Sequence, residues 1–234
     1  MKGFAVKTWN TENELFTLMR TELYTAVVGD IMDKMGLLRQ FLPADITPLR
    51  DDMIVAGRAM PVLETDTAGE DCGNHNAIVK KTFGLMLEAL DDLKENEVYI
   101  CGGSSPRYAL FGELMATRAK HLKAAGAVVN GYSRDTRGIL DVGLPMFSIG
   151  RYSQDQAPRG KVIDYRVPLE IGGVRIKPGD IVFGDLDGVL IVPREHEEEI
   201  LVKAHEKATG EKTVGAAIRG GLSARESFAK YGIM

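Results

Sequence analysis

The first half of the chain alternates between apolar residues at helical spacing and short extended apolar runs. Leu15, Leu18 and Met19 recur at i, i+3 and i+4, the spacing of one buried helix face. Glycine is typical just past the end of a helix, and Gly36 stops the next helical pattern. The predicted elements up to residue 92 are two helices within residues 10–36, the second from Thr25 to Gly36, a strand at 53–63, and a helix at 76–92 with Ile78, Phe83, Leu87 and Leu90 on one face.

The middle of the chain predicts a strand–helix–strand unit. An apolar strand at 98–101 is followed by a glycine-rich loop at 102–109 and by a strand that starts at residue 127. Such a unit makes its two strands parallel, with a right-handed crossover. The helix between them spans 111–126, with a buried face predicted from Phe111, Leu114, Met115 and Leu122.

Beyond residue 145 the pattern becomes β-rich and then helical. Short strands with frequent turn residues are predicted at 145–150 and 161–193, and a helix at 194–208. Ser223 begins a capping box for the last helix. We expect one α/β domain over residues 1–234, a three-layer α/β/β sandwich with a mixed sheet. Helices at about 10–36 and 194–234 pack on it.

Composition and charge narrow the class of protein. The 234 residues, 44% hydrophobic and 26% charged, are enough for one full core. A net charge of −4 does not indicate electrostatic binding to nucleic acid or to an anionic membrane. No apolar run reaches the length of a membrane span, and the N-terminus shows no secretory signal. Cys72 and Cys101 form no CxxC motif, so we expect a cytoplasmic protein with free thiols.

Two segments of the strand–helix–strand unit should meet. Ligands collect outside the carboxyl ends of parallel strands. The helix start, 112–115, and the exit of the next strand, 131–135, both belong there. The helix runs roughly 21 Å away from that edge at about 1.5 Å per residue. The eight residues that follow return roughly 26 Å at about 3.3 Å each. Glu113 should therefore lie close to Arg134 and Asp135.

These groups suit a small 2-oxo acid and a divalent metal. A helix N-terminus offers free amides to a carboxylate, and Arg134 offers a planar fork to a carboxylate or an oxyanion. Asp135 is a hard oxygen ligand for Mg²⁺ or Mn²⁺. Glu113 could hold a metal-bound water or relay a proton. A metal and a guanidinium together would stabilise the enolate formed when a C–C bond breaks.

Simpler interpretations of the same residues exist. An Arg-Asp pair after a strand is commonly a surface ion pair or a loop cap, and Glu113 at a helix start favours the helix dipole. The glycine loop is not a P-loop, because no GK[ST] follows it. The four histidines show no zinc-helix spacing.

The stretch GELMATRAKHLKAAGAVVNGYSRDTRGILDVGLPMFSIG, at 112–150, resembles the core of the RraA-like proteins. This family includes the class II 4-hydroxy-4-methyl-2-oxoglutarate aldolases, also called HMG/CHA aldolases. Weaker similarity extends over most of the chain. The resemblance implies an RraA-like α/β/β sandwich, akin to swivelling phosphohistidine domains. It also implies a homotrimer or homohexamer and metal-dependent cleavage that releases pyruvate, including oxaloacetate decarboxylation.

The family's aldolase motif is an acidic residue, twenty intervening positions, then Arg-Asp. By this match Asp135 is the direct metal ligand, Arg134 is the partner of the substrate carbonyl, and Glu113 acts through water. Gly112, Glu113, Leu114 and Met115 supply substrate-binding amides. The family's aldolases also use a glutamate from the C-terminal region of a neighbouring subunit, for which Glu211 is the first candidate here and Glu206 the second.

Two positions depart from the family pattern. Residue 113 is Glu where characterised aldolases carry Asp, and residue 138 is Gly where an acidic residue often stands. Both departures concern the substrate more than the metal. Two alternative functions remain open. One is a non-catalytic regulator that binds a ribonuclease, as the RraA proteins do without this acidic–Arg-Asp motif. The other is a related hydroxy-acid lyase or hydratase.

Overall fold

The computed structural model describes residues 7–67 and 76–233. Cys72 lies outside these ranges, whereas Cys101 is a buried free thiol. The α-helices of the described residues are α1 (Glu12–Glu22), α2 (Thr25–Lys34), α3 (Met86–Asp91), α4 (Glu113–His121), α5 (Thr136–Val142), α6 (Glu197–Arg219) and α7 (Ala224–Tyr231). The strands are β1 (Thr47–Pro48), β2 (Val55–Asp66), β3 (Glu97–Gly102), β4 (Ala109–Phe111), β5 (Gly126–Val129), β6 (Tyr132–Ser133), β7 (Met146–Ser148), β8 (Gly150–Arg151), β9 (Gly160–Tyr165), β10 (Leu169–Ile171), β11 (Val174–Ile176), β12 (Ile181–Asp185) and β13 (Gly188–Val192).

The main sheet is mixed, in the order β1-β7-β5-β3-β2-β12-β13, with β9 also paired to β2. Strands β2, β3, β5 and β7 run parallel, as the strand–helix–strand pattern predicts for β3 and β5. The long strand β2 pairs with β12 near its start and with β9 near its end. Strands β4, β6 and β8 form a second, parallel sheet, and β10 and β11 form a hairpin. The predicted α/β class with a mixed sheet is confirmed.

Two apolar cores cover the two faces of the main sheet. Helices α1, α2 and α6 pack on one face, against Ile181, Phe183 and Leu190 of the antiparallel strands. Helices α3, α4 and α5 pack on the other face, over β3 and β5. Near-continuous burial of these central strands explains their unbroken apolar runs, because parallel strands are covered on both faces. No helix of residues 7–67 and 76–233 is long and apolar enough to cross a bilayer.

Several helix predictions need correction. The predicted helix at 76–92 exists only as α3; residues 77–80 form turns instead. Gly84 is the reason: it has φ 63°, and it lies against Val162 of β9, whose carbonyl accepts a hydrogen bond from Leu85 N–H at 2.8 Å. Helix α6 is longer than the predicted 194–208 and ends at Arg219. The capping box at Ser223 is present.

Two leucines assigned to buried faces are exposed. Leu87 is 54% exposed on α3, and Leu114 is 84% exposed in the first turn of α4. Each leucine has helical spacing to the other apolar residues of its own helix, but its side chain borders an open cavity and not the closed core. Both leucines therefore belong to the site.

Candidate active site

The two segments that the sequence singles out follow neighbouring parallel strands. β4 ends at Phe111, immediately before Gly112, and β6 ends at Ser133, immediately before Arg134. These strands pair in parallel, with a register shift after Ala109 that places Phe111 opposite Ser133, and Arg134 N–H donates to the Phe111 carbonyl at 3.0 Å. The small second sheet, not the main one, therefore holds the start of α4 beside the start of α5.

Gly112 and Asp135 approach each other closely. A Cβ added to Gly112 would lie 2.8 Å from Asp135 Oδ2 and 3.5 Å from Arg134 Nε, so this contact needs glycine. Asp135 has φ 54° and ψ 37°, the left-handed region that non-glycine residues rarely adopt. Its carboxylate caps no backbone amide of α5 and is about half exposed. A strained, uncapped carboxylate of this kind is typical of functional positions.

The ion-pair partners of Arg134 among the described residues are loose. Its Nε lies 3.7 Å from Asp135 Oδ2, and its Nη1 lies 3.5 Å from Asp155 Oδ1. Both distances exceed those of a close charge-assisted hydrogen bond, about 2.8 Å. Its side chain is 38% exposed. The guanidinium is therefore steered by two carboxylates but keeps donor capacity for a ligand.

The first turn of α4 presents amides at the same place. Ala116 N–H makes the first bond of the helix, to the Gly112 carbonyl at 3.0 Å. The amides of Glu113, Leu114 and Met115 precede that bond, and no side chain caps the helix start. An anionic group beside Arg134 would meet them.

Glu113 occupies space that other residues leave free. Its carboxyl lies over Gly138 in the first turn of α5, where an added Cβ would overlap Cδ and Oε2 of the glutamate. The longer acid at 113 and the missing side chain at 138 are thus complementary. Two departures from the family pattern amount to one structural change.

A cavity of about 370 Å³ opens at these groups. Its charged lining includes Arg134, Asp135 and Asp155. Arg118 and Asp91 also line it and form an ion pair, with Arg118 Nε 2.7 Å from Asp91 Oδ1. Glu113 is not among its lining residues. Apart from Gln156, the rest of the wall is mainly apolar and consists of Phe83, Met86, Leu87, Leu90, Ala109, Leu110, Phe111, Gly112, Leu114 and Met115.

A second group of acids lies inside the protein near Asp155. Glu64 of β2 is 1% exposed; its Oε2 accepts from the Cys101 thiol at 3.6 Å, and its Oε1 has no hydrogen-bond partner. Burial first, and then the negative charges of Asp66 and Asp155, raise the pKa of Glu64 to about 8, against the opposing hydrogen bond from Cys101. Burial likewise raises the pKa of the Cys101 thiol well above its usual range. We describe Glu64 and Cys101 with Tyr108 as the buried acid pocket; Tyr108 donates to Asp66 at 2.7 Å.

The described part of the chain holds no cluster of metal ligands. Among residues 7–67 and 76–233, no three acidic, histidine or cysteine side chains form a group that could hold an ion. Mg²⁺ commonly keeps several waters and takes one or two protein carboxylates, so Asp135 beside Glu113 still fits it. Glu211 is held elsewhere, on α6, by the Tyr24 hydroxyl and by Lys207 at 3.1 Å. Burial raises the pKa of Glu211.

Sequence reasoning missed several residues of this site. Asp155 and Gln156 sit in an irregular loop after β8 with no recognisable motif, and only the folded chain brings Asp155 to Arg134. Gly138 departs from the family pattern in the sequence itself, but its contact with Glu113 depends on how α4 and α5 pack. The uncapped amides, by contrast, could be predicted from the helix start alone.

Comparison with known proteins establishes the family. Residues 25–191 match the family described as RraA-like: Aldolase/RraA. A protein of Halalkalibacterium halodurans, provisionally named 4-hydroxy-4-methyl-2-oxoglutarate aldolase, is 30% identical over 217 residues, or 93% of this chain and 94% of its own. The chain is a member of the RraA-like family, as its central motif implied.

Solved structures agree on the fold. One described among novel cellulases from gut-associated microbes is 35% identical and covers 89% of this chain and 90% of its own, with a TM-score of 0.76. RraAS2 of Streptomyces coelicolor, described as an unusual member of the RNase ES inhibitor RraA family, is 22% identical. It covers 88% of this chain and 98% of its own with a TM-score of 0.72, which shows the shared fold alone.

Proposed function

We propose that this chain is a divalent-metal-dependent lyase that cleaves a C–C bond of a 2-oxo acid and releases pyruvate. One observation carries the proposal. Arg134 and Asp135 lie beside the uncapped amides of α4 at a cavity large enough for a small organic acid. The name of the Halalkalibacterium relative, a 4-hydroxy-4-methyl-2-oxoglutarate aldolase, supports the same chemistry.

The residues divide the work by their chemistry. The amides at 113–115 bind the substrate carboxylate, because a helix N-terminus favours an anion. Arg134 donates to the 2-oxo oxygen, on which negative charge develops as the C3–C4 bond breaks. Glu113 relays the proton of the C4 hydroxyl through water. Asp135, with Glu113 through water, would hold Mg²⁺ or Mn²⁺, whose contribution is Lewis-acid polarisation of the 2-oxo group.

The assembly belongs to the same proposal. We propose a homotrimer or homohexamer in which Glu211, or else Glu206, serves the site of another copy. In one subunit Glu211 is bound to Tyr24 and Lys207, on the α2–α6 side of the sheet. Glu211→Gln should lower turnover without dissociating the oligomer, as measured by light scattering. Full activity in Glu211→Gln would move the role to Glu206, and full activity in both Glu211→Gln and Glu206→Gln would leave the site complete within one subunit.

The direct test is pyruvate release from 4-hydroxy-4-methyl-2-oxoglutarate and from oxaloacetate. It is run with Mg²⁺, with Mn²⁺ and with EDTA, on the wild type, Asp135→Ala and Asp135→Asn. Asparagine tolerates the left-handed backbone, so Asp135→Asn removes the charge with little effect on the fold. We expect metal-dependent turnover that both variants lose.

Failure of this test would have a definite meaning. No turnover together with no Mg²⁺ binding by calorimetry would overturn the lyase and favour the ribonuclease-binding regulator. Metal binding without turnover of these two acids would point to another hydroxy-acid substrate. Cellulose cleavage finds little support, because the cavity wall is mainly aliphatic and aromatic and offers few partners for sugar hydroxyls.

A further inference from the structure

The candidate active site holds a second arginine that the proposed reaction does not use. Arg118 of α4 lines the same cavity as Arg134 and Asp135. Its Nε donates to Asp91 Oδ1 on α3 at 2.7 Å. Within residues 7–67 and 76–233, no hydrogen bond engages its terminal nitrogens, Nη1 and Nη2. An arginine that is fixed through Nε keeps the four N–H donors of these nitrogens for a ligand.

A second substrate carboxylate in this cavity would need a cation. Arg118 and Arg134 are the two cationic side chains that the described residues contribute to the lining, and Arg134 is assigned to the 2-oxo oxygen. The side-chain amide of the lining, Gln156, is neutral, and its Nε2 lies 3.1 Å from Met86 Sδ. Because most of the remaining wall is apolar, a carboxylate placed there would be left unpaired, which is costly. Arg118 is therefore the group that can receive it.

Arg118 also lies at a suitable distance from the start of α4. It follows Leu114 by four positions, so the two residues share one face of the helix, about 6 Å apart along its axis. Both line the cavity. The carboxyl carbons of an extended five-carbon dicarboxylate are about 5 Å apart. A substrate whose first carboxylate meets the amides at 113–115 can therefore place its second one at Arg118, because a helical side chain lies over the turn that precedes it.

We propose that Arg118 binds the distal carboxylate of a dicarboxylic 2-oxo acid and makes the site selective for such substrates. This rests on the proposed lyase function and names a residue that recognises its substrate. Arg118 determines specificity and takes no part in bond cleavage. Asp91 orients the guanidinium through Nε. It is the more exposed partner, at 64% against 40%, so water and salt screen its repulsion of a second anion more than they screen the attraction of Arg118.

The test compares two substrates of matched shape, with Mg²⁺ present. 4-Hydroxy-2-oxoglutarate releases glyoxylate and ends in a carboxylate, whereas 4-hydroxy-5-methyl-2-oxohexanoate releases 2-methylpropanal and ends in an isopropyl group of the same shape. We expect kcat/KM for pyruvate release by the wild type to favour the dicarboxylate by roughly tenfold or more. Arg118→Gln should lose about 10- to 100-fold with the dicarboxylate, mainly through a higher KM, and little with the isopropyl substrate.

Two further variants separate recognition from structure. Arg118→Lys keeps the charge without the planar fork and should retain part of the preference. Arg225→Gln, on the exposed surface of α7 and outside the cavity, is the matched control and should behave as wild type. The exposed Arg118–Asp91 pair contributes little to stability, so the melting temperature of Arg118→Gln should hardly change. An Arg118→Gln variant that loses activity equally with both substrates, or with neither, would overturn the proposal while leaving the lyase function intact.

Binding distinguishes this proposal from the proposed reaction. 2-Oxoglutarate and 5-methyl-2-oxohexanoate have no C4 hydroxyl and cannot undergo the retro-aldol reaction, so calorimetry with Mn²⁺ measures recognition alone. If neither hydroxy acid is cleaved, but 2-oxoglutarate binds more tightly than the isopropyl acid and Arg118→Gln removes the difference, the role of Arg118 holds and the lyase function fails. No binding of 2-oxoglutarate, or a difference that Arg118→Gln leaves unchanged, overturns the role assigned to Arg118.

Discussion

The candidate active site around Asp135, called the edge below, and the buried acid pocket around Glu64 differ in how exposed their carboxyl groups are and in what holds them. Asp135 is half exposed and is held by a left-handed backbone against Gly112. Glu64 is 1% exposed and is held by enclosure, with one oxygen unpartnered. The first arrangement keeps a charged group available to a ligand, and the second keeps a carboxyl neutral inside the core. Substitution should therefore change catalysis at the edge and folding in the pocket.

The largest expected effect lies at the edge. Arg134→Lys keeps the charge but loses the planar fork, so we expect kcat to fall by about 10²- to 10³-fold, as for loss of an oxyanion donor. The melting temperature should hardly change, because Arg134 is partly exposed and only loosely paired. Steady-state kinetics and thermal melts measure both. Arg137→Lys, on the exposed side of α5, is the control. Near-normal kcat in Arg134→Lys would remove Arg134 from the mechanism.

The next largest expected effect is on the stability of the folded protein, and it comes from the buried acid pocket. The pKa of Glu64 is about 8 in the folded protein and near 4.5 when unfolded, so the native state holds a proton that the unfolded chain releases between these values. The free energy of unfolding must therefore fall as pH rises from about 4.5 to about 8, by about 4 kcal/mol.

Glu64→Gln should remove this slope and make the protein more stable than wild type at pH 8. Urea unfolding at pH 5, 6.5 and 8 gives the comparison, and exposed Glu170→Gln is the control. Parallel pH profiles for wild type and Glu64→Gln would show that Glu64 is ionised in the core. Turnover at saturating substrate should change little.

The smallest effect concerns Gly138. Alanine should raise helix propensity within α5 by up to about 1 kcal/mol, yet it would displace the Glu113 carboxyl that lies over this position. We expect about a tenfold loss of kcat/KM in Gly138→Ala and recovery of most of it in Gly138→Ala/Glu113→Asp, because aspartate is one methylene shorter. A single variant as active as wild type, or a double variant no better than the single, would break the link between the two positions.

Sequence patterns predicted the central features because those features depend on local chemistry. The β3–β5 parallel pair, the Ser223 cap and the closeness of 112–115 to 134–135 follow from periodicity, capping and chain length. What failed depended on distant contacts. Gly84 packs on β9, so the predicted helix begins only at Met86, and Leu114 faces a cavity whose other wall lies on α3. Asp155 reaches Arg134 only through the β4–β6–β8 sheet.

The backbone at Asp135 also bears on how such a protein evolves. Aspartate, asparagine and glycine are the residues best suited to a left-handed conformation, and single-nucleotide changes connect their codons. A lineage can therefore replace this carboxylate in one mutational step at almost no cost to folding. Glutamate, the other acidic residue, is poorly suited to the left-handed conformation and would destabilise the fold here. Chemistry at this position is easy to lose and hard to modify, which suits a family in which catalysts and binding proteins share one scaffold.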